Sequence, residues 1–347
     1  MKYPDLANIN DLISKGLIAV RKHPKFDLYI YNYTKQASAD HVWDPTIEAC
    51  RGLICDADGH VIARPFAKFY NYEELVHQHV VQIPDLPFEV YEKLDGSLGI
   101  LYFADGKPYI ATRGSFDSAQ AKHATNVLHT KYADVLDKLD KSKTYLFEII
   151  YNDPDVRGNL VVNYGDTDDI FLLAVIHTDS GDEDDIYDYK DMFNVATKYD
   201  SVSDYLKFRD MQNGNNREGF VIKFANNFRM KLKFAEYFRA HCALQQLNVK
   251  AILDAIINGT TNVLRNKIQD NLSEESLIYF DSMVFDILSK YSDIKNQCDK
   301  DYRNDFASRS DAAAYFNTCK YPAVLFKMLD GKNPSQLIWK YVAKDLL

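Results

Sequence analysis

The sequence predicts an α+β fold with antiparallel sheets and flanking helices up to about residue 240, followed by an all-α segment. Three observations carry this expectation. Strand-like stretches joined by Asp-Gly or Asn-Asn steps recur before residue 235, and after it the hydrophobic period lengthens to that of a helix. The 347 residues, 46% hydrophobic and 26% charged, have an ordinary globular balance and length enough for two domains, placed at 1–240 and 241–347.

The strands follow in order. Asp58-Gly59 separates Leu53-Ile54 from Val61-Ile62, and Asp105-Gly106 separates Leu98–Phe103 from Tyr109–Thr112. Asp-Gly tolerates the positive φ angles of tight hairpins. Asn226-Asn227 has the same part between Phe220–Phe224 and Met230–Phe234, and Thr144–Tyr151 and Ile170–His177 read as buried strands. Ala121, Val127, Leu128, Val135 and Leu139 predict one or two helices between Phe116 and Asp140. Later, Val249, Ile252, Leu253 and Ile256 fall at helical spacing and stop at Asn258-Gly259. Leu277, Phe280, Val284, Ile287, Leu288 and Tyr291 form a second apolar stripe, read as core, and Asn333-Pro334-Ser335 opens a last helix.

The formal charge of −9 argues against a protein that coats nucleic acid non-specifically, while leaving room for a local basic groove. Five cysteines without C-x-x-C spacing read as reduced thiols in a cytoplasmic protein. No signal peptide is read at the start, and the longest apolar run, Phe171–Ile176, is too short for a bilayer, so no membrane partner is expected. The acidic run Asp179–Asp185 reads as a solvated loop. His77 and His79 read as a weak metal pair on one strand face, and Trp43 and Trp339 as packing residues.

The chemistry begins at Lys93, in Glu92-Lys93-Leu94-Asp95-Gly96-Ser97. A lysine attacks phosphorus only as the free amine, and crowding by other cations releases that amine. In Met230-Lys231-Leu232-Lys233-Phe234 a period of two turns both lysines to one face, about 6.5–7 Å apart, where they would meet an anion. Glu148 is a lone carboxylate in an apolar strand and requires a cationic, hydroxyl or metal partner. Glu218, before another strand, could hold a divalent metal or position the lysine. Gly96 lets the chain turn closely past a nucleotide.

The K-x-D-G string alone is weak, expected by chance in roughly one in ten chains of this length. The ordered series Lys93, Thr112-Arg113-Gly114, Glu148, Glu218-Gly219, Lys231 and Lys233 is stronger. It resembles the covalent nucleotidyltransferase superfamily of ligases and capping enzymes, whose catalytic domain is ATP-grasp-like. Tyr31-Asn32-Tyr33, Glu48-Ala49-Cys50-Arg51-Gly52 and the stretch from Arg64 to Asn71 narrow the likeness to the phage RNA ligases of the tRNA-repair type. The resemblance covers most of residues 28–265. It implies that Lys93 is the adenylated nucleophile and that Tyr31, Arg51 and Lys68 touch ATP and its phosphates, with Tyr70 lining the pocket. It further implies that Glu148 binds the ribose, Glu218 a metal, and Lys231 and Lys233 the triphosphate, and that Tyr237 is functional. Arg113 stands where the family often has lysine, and Asn262 where a metal site of the helical domain has a carboxylate, so that site is not carried over.

The implied activity is ATP-dependent joining of RNA 5′-phosphate and 3′-hydroxyl ends through lysyl-AMP, with Mg²⁺ or Mn²⁺. The implied substrate is a nicked tRNA anticodon loop in RNA repair, bound by a monomer whose helical domain selects it. Other covalent nucleotidyltransferases (a DNA ligase or a GTP-dependent capping enzyme) and a non-catalytic RNA-binding relative are the alternatives. The first two carry an OB barrel where this chain reads as helices, and the last would lack a core residue.

Overall fold

Alternating patterns before residue 235 build fourteen strands among the described residues, arranged in three sheets. The computed structural model describes residues 6–78, 81–151, 160–199, 204–205, 207, 216–235, 237, 248–271 and 274–346. By contacts the chain divides into two units, Met1–Ala240 and His241–Leu347. The first is α+β, and in the second every described element is a helix.

The first unit opens with α1 (Leu6–Ser14), β1 (Ile18–Lys22), β2 (Leu28–Tyr33), α2 (Lys35–Ala39), α3 (Pro45–Ala49), β3 (Arg51–Asp56) and β4 (Val61–Ala63). Thr34 caps α2 and Asp44 caps α3 by accepting first-turn N–H groups. There follow β5 (Tyr70–Asn71), α4 (Tyr72–Gln78), β6 (Phe88–Lys93), β7 (Ser97–Ala104), β8 (Lys107–Thr112) and α5 (Ala119–Thr130). The unit continues through β9 (Lys143–Ile150), β10 (Asp169–His177), β11 (Glu183–Asp184), β12 (Lys198–Tyr199), β13 (Gly219–Phe224) and β14 (Arg229–Lys233). The strand orders are β1-β2-β3-β4, β11-β10-β9-β7-β8 and β12-β6-β13-β14-β5. All pairs are antiparallel except β5 with β14.

The three expected hairpins form, by different means. Asp105 and Gly106 both take positive φ (48° and 77°), the two-residue turn that Asp-Gly favours. The other two turns are longer and use one left-handed residue each, Gly59 (φ 87°) and Asn227 (φ 64°). Two expectations are corrected. His77 lies in the helix Tyr72–Gln78, not on a strand, and His79 is outside the described residues. The acidic run is not simply a solvated loop: the Glu183 side chain is only 8% exposed, with its carboxylate between Lys223 (3.1 Å) and the guanidinium of Arg229.

In the second unit the helices are α6 (Val249–Ile257), α7 (Thr261–Asn271), α8 (Glu274–Asp301), α9 (Arg309–Phe316), α10 (Pro322–Leu329) and α11 (Ser335–Leu346). Leu277, Phe280 and Ile287 of α8 are buried, but Leu288 at the edge of the stripe is exposed. Cys50, Cys55 and Cys298 are buried free thiols and Cys319 is half-buried, while Cys242 is outside the described residues. No helix among the described residues is long and apolar enough to cross a membrane.

The third sheet positions the residues of interest. Gly219 pairs with Lys93 on one side and Lys233 on the other, setting both lysines level across β6-β13-β14. Met230, Leu232 and Phe234 are buried in an apolar cluster with Phe220 and Ile222, as the period of two requires. Gly219 has φ 156°, and a Cβ there would lie 2.1 Å from the Leu232 carbonyl oxygen and 2.8 Å from Lys233 Cα. Gly219→Ala should therefore prise β13 from β14 and cost about 2–4 kcal/mol, read as a lowered thermal midpoint. Gly114→Ala, where nothing lies within 4 Å, should be near neutral.

Candidate active site

Glu218, just before β13, is almost fully buried, and its carboxylate joins the two lysines. Lys93 Nζ donates to Glu218 Oε2 at 2.8 Å, and Lys233 Nζ is 2.7 Å from Oε1. Burial alone would push Glu218 up, but Lys233 and Lys93 outweigh it and hold the carboxyl below its ordinary range. Of the two parts expected of Glu218, holding a metal or positioning the lysine, its contacts match the second, for its carboxylate stands between Lys93 and Lys233. Both oxygens of the expected metal ligand Glu218 are engaged with ammonium groups.

Glu148 of β9 approaches from the second sheet. Its Oε1 accepts from Gly96 N at 3.1 Å. Gly96 is required there, because a Cβ would lie 2.4 Å from the Ile149 carbonyl oxygen and 3.0 Å from Glu148 Cγ. Burial pushes the Glu148 carboxyl up to about 7, against the pull of Lys93 and Arg51 and with the help of Glu218 and Asp95. Glu148 and Glu218 supply hard oxygens of the kind a divalent cation takes, and those of Glu218 are engaged here with Lys93 and Lys233.

Asp95 is the residue whose part sequence reasoning missed. Its Oδ2 accepts from Val161 N (2.7 Å) and Val162 N (2.9 Å), its Oδ1 from the Tyr237 hydroxyl (2.9 Å), and its own N–H donates to the Tyr164 hydroxyl (2.7 Å). The turn after Lys93 is thereby held from three places in the chain. Tyr237 is buried, with the Lys233 ammonium 5.1 Å from its ring centroid. A carboxylate in a turn beside a glycine seeks N–H donors, which is the signal that pointed to this role.

The other expected residues fall into two groups. The Arg51 guanidinium and the Lys231 ammonium both lie over the Phe69 ring, at 5.7 and 5.1 Å, and Arg51 Nη1 is buried without a hydrogen-bond partner. Such an orphaned cationic donor fits a phosphate oxygen. Lys68 is enclosed: its side chain is 3% exposed, beside Glu74 (3.6 Å) and within 6 Å of the Trp43, Tyr70 and Tyr33 rings. Tyr70 is buried, and its hydroxyl donates to Glu48. Arg113 Nη1 donates to the Tyr33 hydroxyl at 3.3 Å. Tyr31 is half-buried near Cys50 and Cys55, where burial pushes its hydroxyl pKa up. Trp43 and Tyr33 thus touch cations of the candidate site, which packing alone did not foretell. A cavity of about 410 Å³ opens beside Lys68, Phe69 and Tyr70, but Lys93, Glu148, Glu218, Lys231 and Lys233 do not line it.

Glu148 makes a pH test available. Its folded pKa, about 7, lies above the ordinary 4.5, so the folded state is favoured at low pH and loses that advantage as pH rises from about 4.5 through about 7. The change is on the order of 3 kcal/mol. Glu148→Gln should raise the thermal midpoint at pH 8 and leave it nearly unchanged at pH 5. An equal effect at both would contradict the assignment.

Three comparisons bear on identity. A protein of Autographa californica nuclear polyhedrosis virus, provisionally named a bifunctional polynucleotide kinase/RNA ligase, is 26% identical over 287 residues, covering 73% of this chain and 40% of that protein. An RNA ligase of Rhodothermus phage RM378 is 28% identical over 216 residues, 51% of this chain and 46% of that protein. The chain thus spans less than half the length of either relative. Among solved structures, one from Aquifex aeolicus provisionally described as an ATP-dependent DNA ligase aligns with a TM-score of 0.50 at 13% identity, covering 85% of this chain and 81% of that one. That likeness concerns the fold alone. The sequence profile described as RNA ligase matches residues 49–238, more than half the chain and nearly all the residues assembled above, so this protein belongs to the RNA ligase family.

Proposed function

We propose that this protein is an ATP-dependent RNA ligase that joins a 5′-phosphate to a 3′-hydroxyl through AMP carried on Lys93. The observation that carries the reading is the level placement of Lys93 and Lys233 about one buried carboxylate, with Glu148 beside them. In the first step Lys93 Nζ, having lost its proton, bonds to the α-phosphorus of ATP as the bond to pyrophosphate breaks. Arg51, Lys231 and Lys233 hold the triphosphate in line and stabilise its spread negative charge. Glu148, once ionised, accepts from a ribose hydroxyl. AMP then passes to the RNA 5′-phosphate, and the 3′-hydroxyl displaces it, losing its proton as the new phosphodiester forms. A divalent cation, Mg²⁺ or Mn²⁺, would be held by Glu218 and would supply positive charge to the phosphates when bound.

The helical unit is the proposed reader of the RNA, which we take to be a broken hairpin such as a cleaved tRNA anticodon loop, recognised by shape and single-stranded ends. All the residues assigned to chemistry precede it.

Incubation with ATP labelled at the α-phosphate tests the first step. Wild-type protein should take up label at Lys93, located by peptide mapping, and ATP should be used in preference to GTP. Lys93→Ala should fall to background. Lys93→Arg should fall equally far while keeping a near wild-type thermal midpoint, because a guanidinium preserves the ion pair with Glu218 but is not a nucleophile. Label on Lys93→Ala would refute the nucleophile. Faster sealing of a broken hairpin loop than of a nicked duplex is the expected substrate order, and the reverse would overturn the repair assignment.

A further inference from the structure

The cations of the candidate phosphate site share a feature that the functional reading does not use: each lies within 6 Å of an aromatic ring centroid. Arg113 is over Tyr33, Lys68 is among Tyr33, Trp43 and Tyr70, Lys233 is over Tyr237, and Arg51 and Lys231 are both over Phe69. Gathering like charges is unfavourable, and more so near a protein surface than in bulk water. A carboxylate between them relieves the repulsion but also cancels the positive potential that a triphosphate seeks. The negative face of a ring attracts a cation without bringing a net charge. An aromatic floor therefore helps to hold cations in position without itself adding negative charge, and at Lys68 and Lys233 it does so beside a carboxylate.

Phe69 is the ring that serves two of the cations assigned to the triphosphate. Its plane is set by Phe66, which meets it edge-on at 5.9 Å and 89°. Phe66 in turn lies under the guanidinium of Arg229, at 4.6 Å, and Arg229 is fixed by both oxygens of Glu183. Glu183 of the 179–185 run thus anchors, through two rings, the heads of Arg51 and Lys231. Phe66 and Phe69 also line the 410 Å³ cavity, so neither ring is locked by packing on every side.

We propose that Phe69 is a positioning residue for nucleotide binding: its ring holds the Arg51 and Lys231 charges at the spacing that accepts the β- and γ-phosphates of ATP. The inference rests on the functional reading above and adds to it a residue whose side chain carries no polar group. Phe69→Leu keeps most of the apolar volume and removes the ring face, whereas Phe69→Trp keeps the face.

The test measures lysyl-AMP formation against ATP concentration for full-length wild-type protein, Phe69→Leu and Phe69→Trp, with thermal midpoints recorded alongside. Loss of two cation–π contacts should raise the ATP concentration at half-maximal rate about tenfold in Phe69→Leu, with the maximal rate changed much less. Phe69→Trp should stay within about twofold of wild type, and sealing of a pre-adenylylated RNA end, which needs no triphosphate, should be far less affected in both variants. An unaltered ATP dependence in Phe69→Leu would overturn the proposal. So would an equal defect in Phe69→Trp at wild-type stability, or an equal loss in the sealing of pre-adenylylated ends, since these mark a merely structural ring. Wild-type protein that forms no adduct with ATP would instead overturn the functional reading, and this inference with it.

Discussion

One carboxylate shared by two ammonium groups organises the first unit. Lys93 and Lys233 sit on strands that flank β13, and burying either lysine without a partner would cost several kcal/mol. Glu218 offers one oxygen to each. The arrangement depends on a glycine next in sequence, because only a residue without a Cβ lets β13 approach the Leu232 carbonyl so closely. Sheet register, the buried ion triad and the candidate nucleophile are therefore parts of one constraint.

The overall charge of −9 coexists with a locally basic site because acidic residues are spent elsewhere. Asp95 is committed to backbone N–H groups and the Tyr237 hydroxyl, and Glu183 to Arg229 and Lys223. Burial raises Glu148 to about 7, so near neutral pH it is only partly charged. Partial protonation of Glu148 thus lowers the negative charge beside Lys93. Aromatic faces complete the arrangement by holding cations without neutralising them.

How much of this could be read from the sequence varies with the range of the interaction. Local backbone chemistry was legible: Asp105-Gly106 makes the turn its positive φ angles permit, and the alternation from Met230 to Phe234 separates apolar core from lysines. The site residues were legible as an ordered series, but their pairing was not. Nothing local tells that Lys93 and Lys233 meet through Glu218, since that contact is made by strands distant in the chain. The same limit explains Glu183, whose acidic neighbours imply solvent until Arg229 and Lys223 are brought to it across the fold. His77 was misassigned because two histidines one residue apart resemble a strand face, whereas Glu73, Glu74, Leu75 and Val76 belong to a helical turn. Trp43 was read as a packing residue because an aromatic residue that packs and one that carries a cation have the same sequence signature.

The ion triad also bears on what the proposed reaction requires of the chain. Glu218 opposes the loss of a proton by Lys93, because its negative charge stabilises the ammonium form. In the proposed reaction a triphosphate held by Arg51, Lys231 and Lys233 would compete with Glu218 for the Lys233 ammonium, and a divalent cation drawn to Glu218 would compete with Lys93 for the carboxylate. Loss of Lys233 alone would leave Glu218 freer to hold Lys93, so it is the positive charge drawn to Glu218 that would weaken the hold on Lys93. In the absence of nucleotide the same contacts keep the lysine paired and the sheet intact. In that reaction the group that stabilises the fold and the group released for chemistry would be one side chain in two electrostatic settings, so Lys93→Arg is expected to separate the roles where Lys93→Ala would remove both.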